Sequence, residues 1–272
     1  MPALSRFPDD FIFGAATSAL QIEGSPLADG AGPSAWQTFC QMPGRVANGD
    51  TADMACDHYA QFKTDIALMQ TLGLQAYRFS IAWGRILPEG RGRINPKGID
   101  HYKRLIEALH RAGITPCVTL HHWDLPLALM AQGGFLHPDS AHWFSDYADI
   151  VFRHFEDSVG HWTTFNEPWV MVHMGFVEGS HPPALTDPAK ARLAAHHILK
   201  AHGLGVQAFR ASGHGEIGIV VNLEPKYPAS DRPEDLEATR RSDAWMNRQF
   251  LDPLFLGRYP EELSTLFGTQ AV

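Results

Sequence analysis

Residues 99–124 read IDHYKRLIEALHRAGITPCVTLHHWD, and this stretch contains a helix followed directly by a strand. Apolar residues recur at steps of three and four, which places them on one face of a helix: Ile99, Tyr102, Leu105, Ile106 and Leu109. Gly113 follows as a helix stop, and the run Ile114 to Leu120 then has the length and composition of a strand. The stretch therefore predicts one helix–strand unit of an α/β fold.

The same alternation extends in both directions along the chain. Five apolar, β-rich runs are predicted to be strands: Phe11 to Ala16, Ala76 to Ile81, Ile114 to Leu120, His161 to Phe165 and Ile217 to Leu223. The segments between them are long enough for the crossover helices that join parallel strands. We therefore expect a parallel sheet whose interior strands are covered on both faces, as the near-continuous apolar run IGIVVNL (217–223) indicates.

Three further crossover helices are predicted from helical spacing and helix-end signals. The first has an apolar face made of Tyr59, Phe62, Ile66, Met69 and Leu72. The second begins near Asp139 and directs these residues towards the sheet: Phe144, Tyr147, Val151 and Phe155. The third opens with Asp187 and Pro188 and runs towards Gly213. From Tyr227 onward the sequence predicts a loop and helical segments, with no sixth strand.

Composition narrows the classes of function. The 272 residues include 22 basic and 30 acidic residues, a formal net charge of -8, without a cluster of Lys or Arg, so neither nucleic acid nor an anionic membrane is an expected partner. No secretory signal is visible, and no run reaches the ~20 apolar residues of a membrane span. Three cysteines without a CxxC pair favour a reducing, cytoplasmic compartment. No HExxH motif occurs among the 15 histidines, so we expect no metal and no other cofactor.

Polar and aromatic residues collect where each predicted strand ends. They are Gln21 and Glu23 after the first strand, Arg78 and Trp83 in and after the second, His121 to Asp124 after the third, Asn166, Glu167 and Trp169 after the fourth, and Asn222 and Glu224 in and after the fifth. In a parallel barrel these ends form the rim that holds the active site. Amides, carboxylates and imidazoles beside flat aromatic rings suit a carbohydrate, which needs hydrogen bonds at its edge and an apolar surface at its face.

Glu167 is the candidate catalytic acid. Hydrolysis of a glycosidic bond requires two carboxyl groups, one of which protonates the departing oxygen. Glu167 ends the fourth strand and is flanked by Asn166 and Trp169, whereas a Glu outside such a setting would more often be an exposed carboxylate.

Five sequence blocks carry a resemblance to a known family. They are FPDDFIFGAATSALQIEG (7–24), YRFSIAWGRILPEGRGRINPKGIDHY (77–102), TLHHWDLP (119–126), TFNEPWV (164–170) and FLDPLFLGRYP (250–260). With these blocks the chain resembles glycoside hydrolase family 1, the β-glucosidase and 6-phospho-β-glucosidase group, over essentially its whole length. The resemblance implies a (β/α)8 TIM barrel of which about the first five βα units are present, in a single partial barrel domain over residues 1–272.

The resemblance also implies a role for each matching position. Glu167 matches the general acid/base, and Arg78 matches the arginine beneath the catalytic carboxylates. The expected contacts to the substrate sugar are Gln21, His122, Asn166, Trp123 and Asn222, the last of which matches a polar position of strand five near the active centre.

One catalytic group of the family has no counterpart here. The family's nucleophile is a Glu in a T/S-E-N-G motif near the end of strand seven, and these 272 residues contain no such motif. Asp124 and Glu224 are the nearest other acids by strand position, but a retaining mechanism needs its two carboxyl groups only about 5–5.5 Å apart. We therefore expect the nucleophile and strands six to eight to lie beyond Val272, which would make this sequence truncated relative to the family.

The leading interpretation is a retaining β-glycosidase, most simply a cytoplasmic β-glucosidase that hydrolyses terminal β-D-glucosyl residues of β-glucosides or cellulose-derived oligosaccharides. The alternative is a non-catalytic partial barrel that binds sugar weakly. Such a barrel would self-associate or combine with another chain or a C-terminal fragment, because five strands leave an open edge and inward-facing apolar side chains.

Overall fold

The computed structural model describes residues 7–212 and 214–267. Within these residues the strands form one parallel sheet in the order β1–β2–β3–β4–β5. Their bounds are Gly14–Ala16 for β1, Ala76–Ser80 for β2, Thr115–His121 for β3, His161–Asn166 for β4 and Glu216–Val220 for β5. Sequential order, parallel pairing and intervening helices are the arrangement of five consecutive units of a (β/α)8 barrel, as predicted.

Helices cover the outer side of this sheet and fill the connections. The α-helices of the described residues are α1 Ala19–Ile22, α2 Ala35–Gln41, α3 His58–Thr71, α4 Trp83–Ile86, α5 Pro96–Arg111, α6 Leu127–Met130, α7 Ser140–Phe155, α8 Pro168–His173, α9 Pro188–Ser212, α10 Pro233–Asp243, α11 Gln249–Leu256 and α12 Glu262–Phe267. None of the helices in the described ranges is long and apolar enough to cross a membrane.

The four predicted crossover helices are present as α3, α5, α7 and α9. Asp187 caps α9 as expected, since its Oδ1 accepts hydrogen bonds from the backbone N–H groups of Ala189 at 3.1 Å and Lys190 at 3.2 Å. The predicted apolar role of Leu72 is wrong: α3 ends one residue earlier, and Leu72 is 75% exposed. The predicted helix end at Gly213 lies outside the described residues.

The hydrophobic core lies between the sheet and the outer helices. The inward face predicted for α7 is confirmed, because its four apolar residues are at most 2% exposed: Phe144, Tyr147, Val151 and Phe155. Helix α9 packs along α7, and Gly205 allows a close approach there. A Cβ added to Gly205 would lie 2.9 Å from a ring carbon of Phe144.

The inner face of the sheet is open near the amino ends of the strands, so the prediction that the interior strands are covered on both faces is wrong there. Towards their carboxyl ends the same face is buried, as at Ser80 and Thr119. Arg78, Cys117, His161 and Glu216 occupy one row of the strand register and line a cavity of about 800 Å³. A closed barrel fills its interior with side chains contributed from all around the wall, and five strands supply only part of those layers. The residues of β5 are accordingly exposed or half-buried.

Candidate active site

A polar cleft lies at the carboxyl ends of β1 to β4. Its volume is about 230 Å³, and it is lined by Ala16, Thr17, Gln21, Arg78, His122, Trp123, Asn166 and Glu167. Six of these were singled out from the sequence as candidate site residues. The fold therefore brings together side chains that are up to 151 positions apart in the sequence, because the ends of parallel strands meet at one rim.

Glu167 occupies the tight turn between β4 and α8. Its backbone has φ +47°, in the left-handed region that is costly for a residue with a side chain, and its N–H donates to the carbonyl of Val220 at 2.7 Å. Pro168 then opens α8, which suits the first turn of a helix. The turn leaves the Glu167 side chain half-buried in the wall of the cleft.

Arg78, Asn166 and Glu167 form a chain of hydrogen bonds along the cleft wall. Arg78 Nη2 donates to Asn166 Oδ1 at 3.0 Å, and Asn166 Nδ2 donates to Glu167 Oε2 at 3.1 Å. Burial lowers the pKa of Arg78, and the Glu167 carboxylate acts in the opposite direction and raises it. The second terminal nitrogen of Arg78, Nη1, is buried and has no hydrogen-bond partner among the described residues.

His122 and Trp123 form the adjoining wall. The Trp123 indole donates to the carbonyl of Asn166 at 2.9 Å, and Trp123 itself has a left-handed backbone with φ +78°. His122 is 8% exposed, and burial together with nearby Arg78 lowers its pKa to about 4. The imidazole is therefore neutral at neutral pH. Its Nδ1 has no partner within the part of the chain that the structure describes, so the ring retains hydrogen-bonding capacity for a ligand hydroxyl.

Gln21 reaches the cleft from the short helix α1. The helix is held at its start by Ser80, the last residue of β2, whose hydroxyl oxygen accepts from the N–H of Ala19 at 2.7 Å. Gln21 is exposed on the cleft side. An exposed amide beside a neutral imidazole is chemically suited to bind sugar hydroxyls.

Asn222 lies apart from this group. It follows β5 by two residues and is not among the residues that line the cleft. Its Oδ1 is buried without a hydrogen-bond partner in the described ranges. Its expected role as a sugar contact stays a prediction.

Several polar residues at the strand ends have structural roles. Glu23 is 4% exposed and pairs with Arg85 at 2.6 Å, so the interpretation of Glu23 as a rim residue is wrong. Trp83 is buried and stacks on Tyr147, with ring centroids 4.5 Å apart. Neither Asp124 nor Glu224 lines the cleft, and Asp124 is buried.

Two lining residues, Ala16 and Thr17, were missed from the sequence. Both come directly at the end of β1, and the Thr17 hydroxyl is 2.5 Å from that of Tyr77. A small residue and a hydroxyl give no chemical signal of their own. Only their position at a strand end could have indicated them.

The fold and the cleft define a class of protein, a parallel (β/α) barrel with a polar cleft at its carboxyl rim. The chain belongs to glycosyl hydrolase family 1, whose family model matches residues 3–272.

Individual relatives agree with this assignment. The chain is 49% identical to the Beta-glucosidase A of Thermotoga maritima over 260 residues, which is 95% of this chain and 58% of that protein. It is 43% identical to the Beta-glucosidase A of Acetivibrio thermocellus over 267 residues, covering 98% of this chain and 60% of the relative. The solved family 1 β-glucosidase of Thermotoga maritima matches with a TM-score of 0.93 at 49% identity, covering 95% of this chain and 59% of that structure. A further structure is that of β-glucosidase from Thermotoga maritima in complex with glucoimidazole, which matches with a TM-score of 0.93 at 48% identity. This match covers 96% of this chain and 60% of that structure.

The chain thus spans 58–60% of the length of these relatives. The matched part contains the cleft and the five strands described above.

Proposed function

We propose that this chain forms the N-terminal part of a retaining β-glucosidase in which Glu167 is the general acid/base. The observation that carries the proposal is the hydrogen-bond chain from Arg78 through Asn166 to Glu167, at the strand end beside His122. The names of the relatives, which are β-glucosidases, support glucose as the sugar.

Each cleft residue has a part in the proposed reaction. Arg78 fixes the orientation of the Asn166 amide, and the amide N–H in turn holds Glu167 Oε2. The other oxygen of Glu167 then gives its proton to the departing glycosidic oxygen while a nucleophilic carboxylate forms a bond to the anomeric carbon. In the second half, Glu167 as a carboxylate takes a proton from water, the water oxygen bonds to the anomeric carbon, and the nucleophile departs. Gln21, His122, Trp123, Asn166 and Asn222 are proposed to bind the sugar.

We propose that the nucleophile comes from the part of the relatives' length that this chain does not span. The unpartnered Nη1 of Arg78 supports this, because a buried guanidinium nitrogen would pair well with a carboxylate placed across the cleft from Glu167. No acid other than Glu167 lines the cleft within the described residues.

The test uses a completed enzyme, which we define as residues 1–272 extended by strands six to eight from the unmatched part of the Thermotoga maritima relative. In this enzyme Glu167→Gln should lower turnover of cellobiose by roughly 10²–10⁴-fold, the usual contribution of a general acid. A dinitrophenyl β-glucoside, whose leaving group departs without a proton, should still release its phenol in a burst. Added azide should restore turnover because it attacks the intermediate without needing a general base.

The matched control is Glu107→Gln, at an exposed carboxylate that lies 3.7 Å from Arg111 on the outer surface. This variant should keep full activity on both substrates. Equal losses on cellobiose and the activated substrate in Glu167→Gln, with no effect of azide, would show that Glu167 is not the acid/base.

A second candidate function is a partial barrel that binds sugar weakly and assembles with a partner. The open cavity on the inner face of the sheet favours it, because its wall includes the apolar residues Ile12, Ala76 and Ile217, and exposed apolar patches are normally covered. The 272-residue chain alone should then self-associate in light scattering, and a C-terminal fragment with strands six to eight should convert it to a one-to-one complex. A stable monomeric 272-residue chain that hydrolyses β-glucosides by itself would contradict both the expected self-association and the need for a C-terminal fragment.

We also propose that the protein is cytoplasmic, with residues 1–272 in one domain, and that it acts on oligosaccharides from cellulose. The free thiols of Cys40, Cys56 and Cys117 support a reducing compartment. Cell fractionation tests the location, and activity with cello-oligosaccharides, compared with galactosides and 6-phosphoglucosides, tests the substrate.

A further inference from the structure

A second, smaller pocket lies behind the cleft and shares no lining residue with it. This rear pocket is formed where the loop after β1 meets the segments that follow β2 and β3, and its walls include Glu23, Ala82, Arg85 and Asp124. Its volume is about 50 Å³. Nothing in the proposed reaction uses it.

Two residues in the wall of the rear pocket, Arg85 and Asp124, each have one buried polar atom without a partner in the described part of the chain. Arg85 and Asp124 are each 4% exposed, and neither Arg85 Nη1 nor Asp124 Oδ1 has a hydrogen-bond partner among the described residues. The other guanidinium nitrogens of Arg85 are engaged: Nε donates to Glu23 Oε2 at 2.6 Å and Nη2 donates to the carbonyl of Gly24 at 2.9 Å. Buried polar groups nearly always have a hydrogen-bond partner, so these two atoms make the rear pocket a candidate site for a small polar ligand.

Water is the occupant that fits the size and chemistry of the rear pocket. One water molecule needs roughly 10–15 Å³ of such space and two to four polar partners. A sugar is too large, and the Arg85 guanidinium in the wall disfavours a metal cation. Burial raises the pKa of Asp124 to about 7, so both forms of its carboxyl group are present near neutral pH. Water can pair with either form because it donates and accepts.

The groups around the rear pocket hold the segments that carry sugar-binding residues. Glu23 directly follows α1, which carries Gln21, and its Oε1 accepts from the Tyr102 hydroxyl at 2.7 Å. Asp124 directly follows His122 and Trp123. A bridge across the pocket would therefore fix the end of α1 relative to the His122–Trp123 wall of the cleft.

We propose that the rear pocket is a structural water site in which water bridges Arg85 Nη1 and Asp124 Oδ1, and that Arg85 and Asp124 thereby act as positioning residues for the sugar contacts Gln21 and His122. The positioning role rests on the proposed function, whereas the water site does not. The two parts are therefore tested separately.

A crystal structure of the completed enzyme that resolves ordered water tests the site. We expect a water oxygen about 2.7–3.2 Å from both Arg85 Nη1 and Asp124 Oδ1. An empty rear pocket, or one filled by a protein side chain, would overturn the inference. This measurement needs no catalysis, so its failure in an active enzyme refutes the water site alone.

Two substitutions at Asp124 test the positioning role. Asp124→Asn keeps an acceptor oxygen of the same shape and should retain the water, whereas Asp124→Ala removes it. Calorimetry with deoxynojirimycin should show roughly tenfold weaker binding to Asp124→Ala, about the effect of one lost interaction, and near-unchanged binding to Asp124→Asn. The KM for an activated glucoside should rise in Asp124→Ala more than kcat falls.

A third variant guards against misfolding of Asp124→Ala. Ala82→Val adds two methyl groups to the wall of the rear pocket and leaves every charged group in place. It should displace the water and also weaken deoxynojirimycin binding. Unchanged binding in a folded Asp124→Ala or Ala82→Val, or equal loss in Asp124→Asn and Asp124→Ala, would refute the positioning role.

Discussion

Arg78 Nη2 donates a 3.0 Å hydrogen bond to Oδ1 of Asn166, and this contact joins the middle of β2 to the last residue of β4 across β3. It settles which way the Asn166 amide faces, because an amide flipped by 180° would present its NH₂ group to a guanidinium that has only donors. The NH₂ group is thereby directed to Glu167, at 3.1 Å. The half-buried Arg78 thus orients the Glu167 carboxyl group through the amide that lies between them.

Arg78→Lys should therefore impair the completed enzyme although it preserves the charge. Lysine is a flexible point charge and does not reproduce the planar fork that fixes the Asn166 amide. We expect kcat/KM to fall by about 10²-fold, the scale of a misplaced catalytic group. The control is Arg153→Lys, at an exposed ion pair with Asp149, and it should be silent. Steady-state kinetics with an aryl glucoside measure the effect. A decrease in kcat/KM of less than threefold would contradict the proposed control of Glu167 by Arg78 through Asn166.

The fold was predictable because apolar spacing and helix-end residues indicated the same helices and strands along the chain. Ile99 to Leu109 form the buried face of α5, and Asp187 with Pro188 marked the start of α9. The open inner face was not predictable from apolar runs such as IGIVVNL. Apolar composition indicates that a strand is normally buried, but it does not show which elements bury it. The prediction for Leu72 was wrong because α3 ends at Thr71, and the exact end of a helix depends on local geometry that apolar spacing does not determine.

The closeness of α7 and α9 gives a stability prediction. Gly205→Ala should destabilise the chain by about 1–3 kcal/mol, because its Cβ would lie 2.9 Å from Phe144 in a packed core. Gly203, two residues earlier in the same helix, has nothing within 4 Å of an added Cβ. Gly203→Ala should stabilise by up to about 1 kcal/mol through helix propensity. Urea unfolding of both variants measures the difference, and equal effects would rule out the close contact as the cause.

Most residues that line the cleft were predictable from the sequence, whereas the hydrogen bonds that connect them were not. Strand-end position and the family resemblance singled out Gln21, Arg78, His122, Asn166 and Glu167, and these five line one cleft. The hydrogen-bond order among them depends on rotamers, which sequence spacing does not determine. Glu23 shows the limit most clearly. It follows a strand as a rim residue would, yet its side chain accepts hydrogen bonds from Arg85 and Tyr102 in the interior.

Buried histidines should make the fold sensitive to acid. Burial lowers the pKa values of His101 and His121 to about 3 and of His202 to about 4, below the usual 6.5. The unfolded chain therefore binds more protons than the folded chain between about pH 4 and 6.5, and stability is lost as the pH falls through that window. Each such histidine contributes about 1.4 kcal/mol per pH unit there.

His101→Phe tests this directly, because both ring nitrogens of His101 lack partners in the described ranges and the ring packs against Tyr59. The variant's free energy of unfolding should fall less steeply between pH 6.5 and about pH 4. The slope should be smaller by the contribution of one buried histidine, about 1.4 kcal/mol per pH unit. His142→Phe, at an exposed position, is the matched control and should keep the original slope. An unaltered slope in His101→Phe would exclude this residue as a source of the acid sensitivity.

Cys117 should report whether the barrel interior is covered. Its side chain is half-buried on the inner row of the sheet and lines the cavity of about 800 Å³, whereas Cys56 is exposed. Burial raises the pKa of the Cys117 thiol, so it should react more slowly than Cys56 even in the 272-residue chain. Extending the chain with strands six to eight should slow alkylation of Cys117 by at least roughly tenfold, since access controls thiol reactivity, and leave Cys56 unchanged. Peptide mass spectrometry after timed alkylation measures both rates in one sample.

Equal protection of Cys117 in the 272-residue chain and in the completed enzyme would contradict this prediction. The inner face of the sheet would then be covered by self-association or by collapse of the sheet, and light scattering on the same sample separates these two cases.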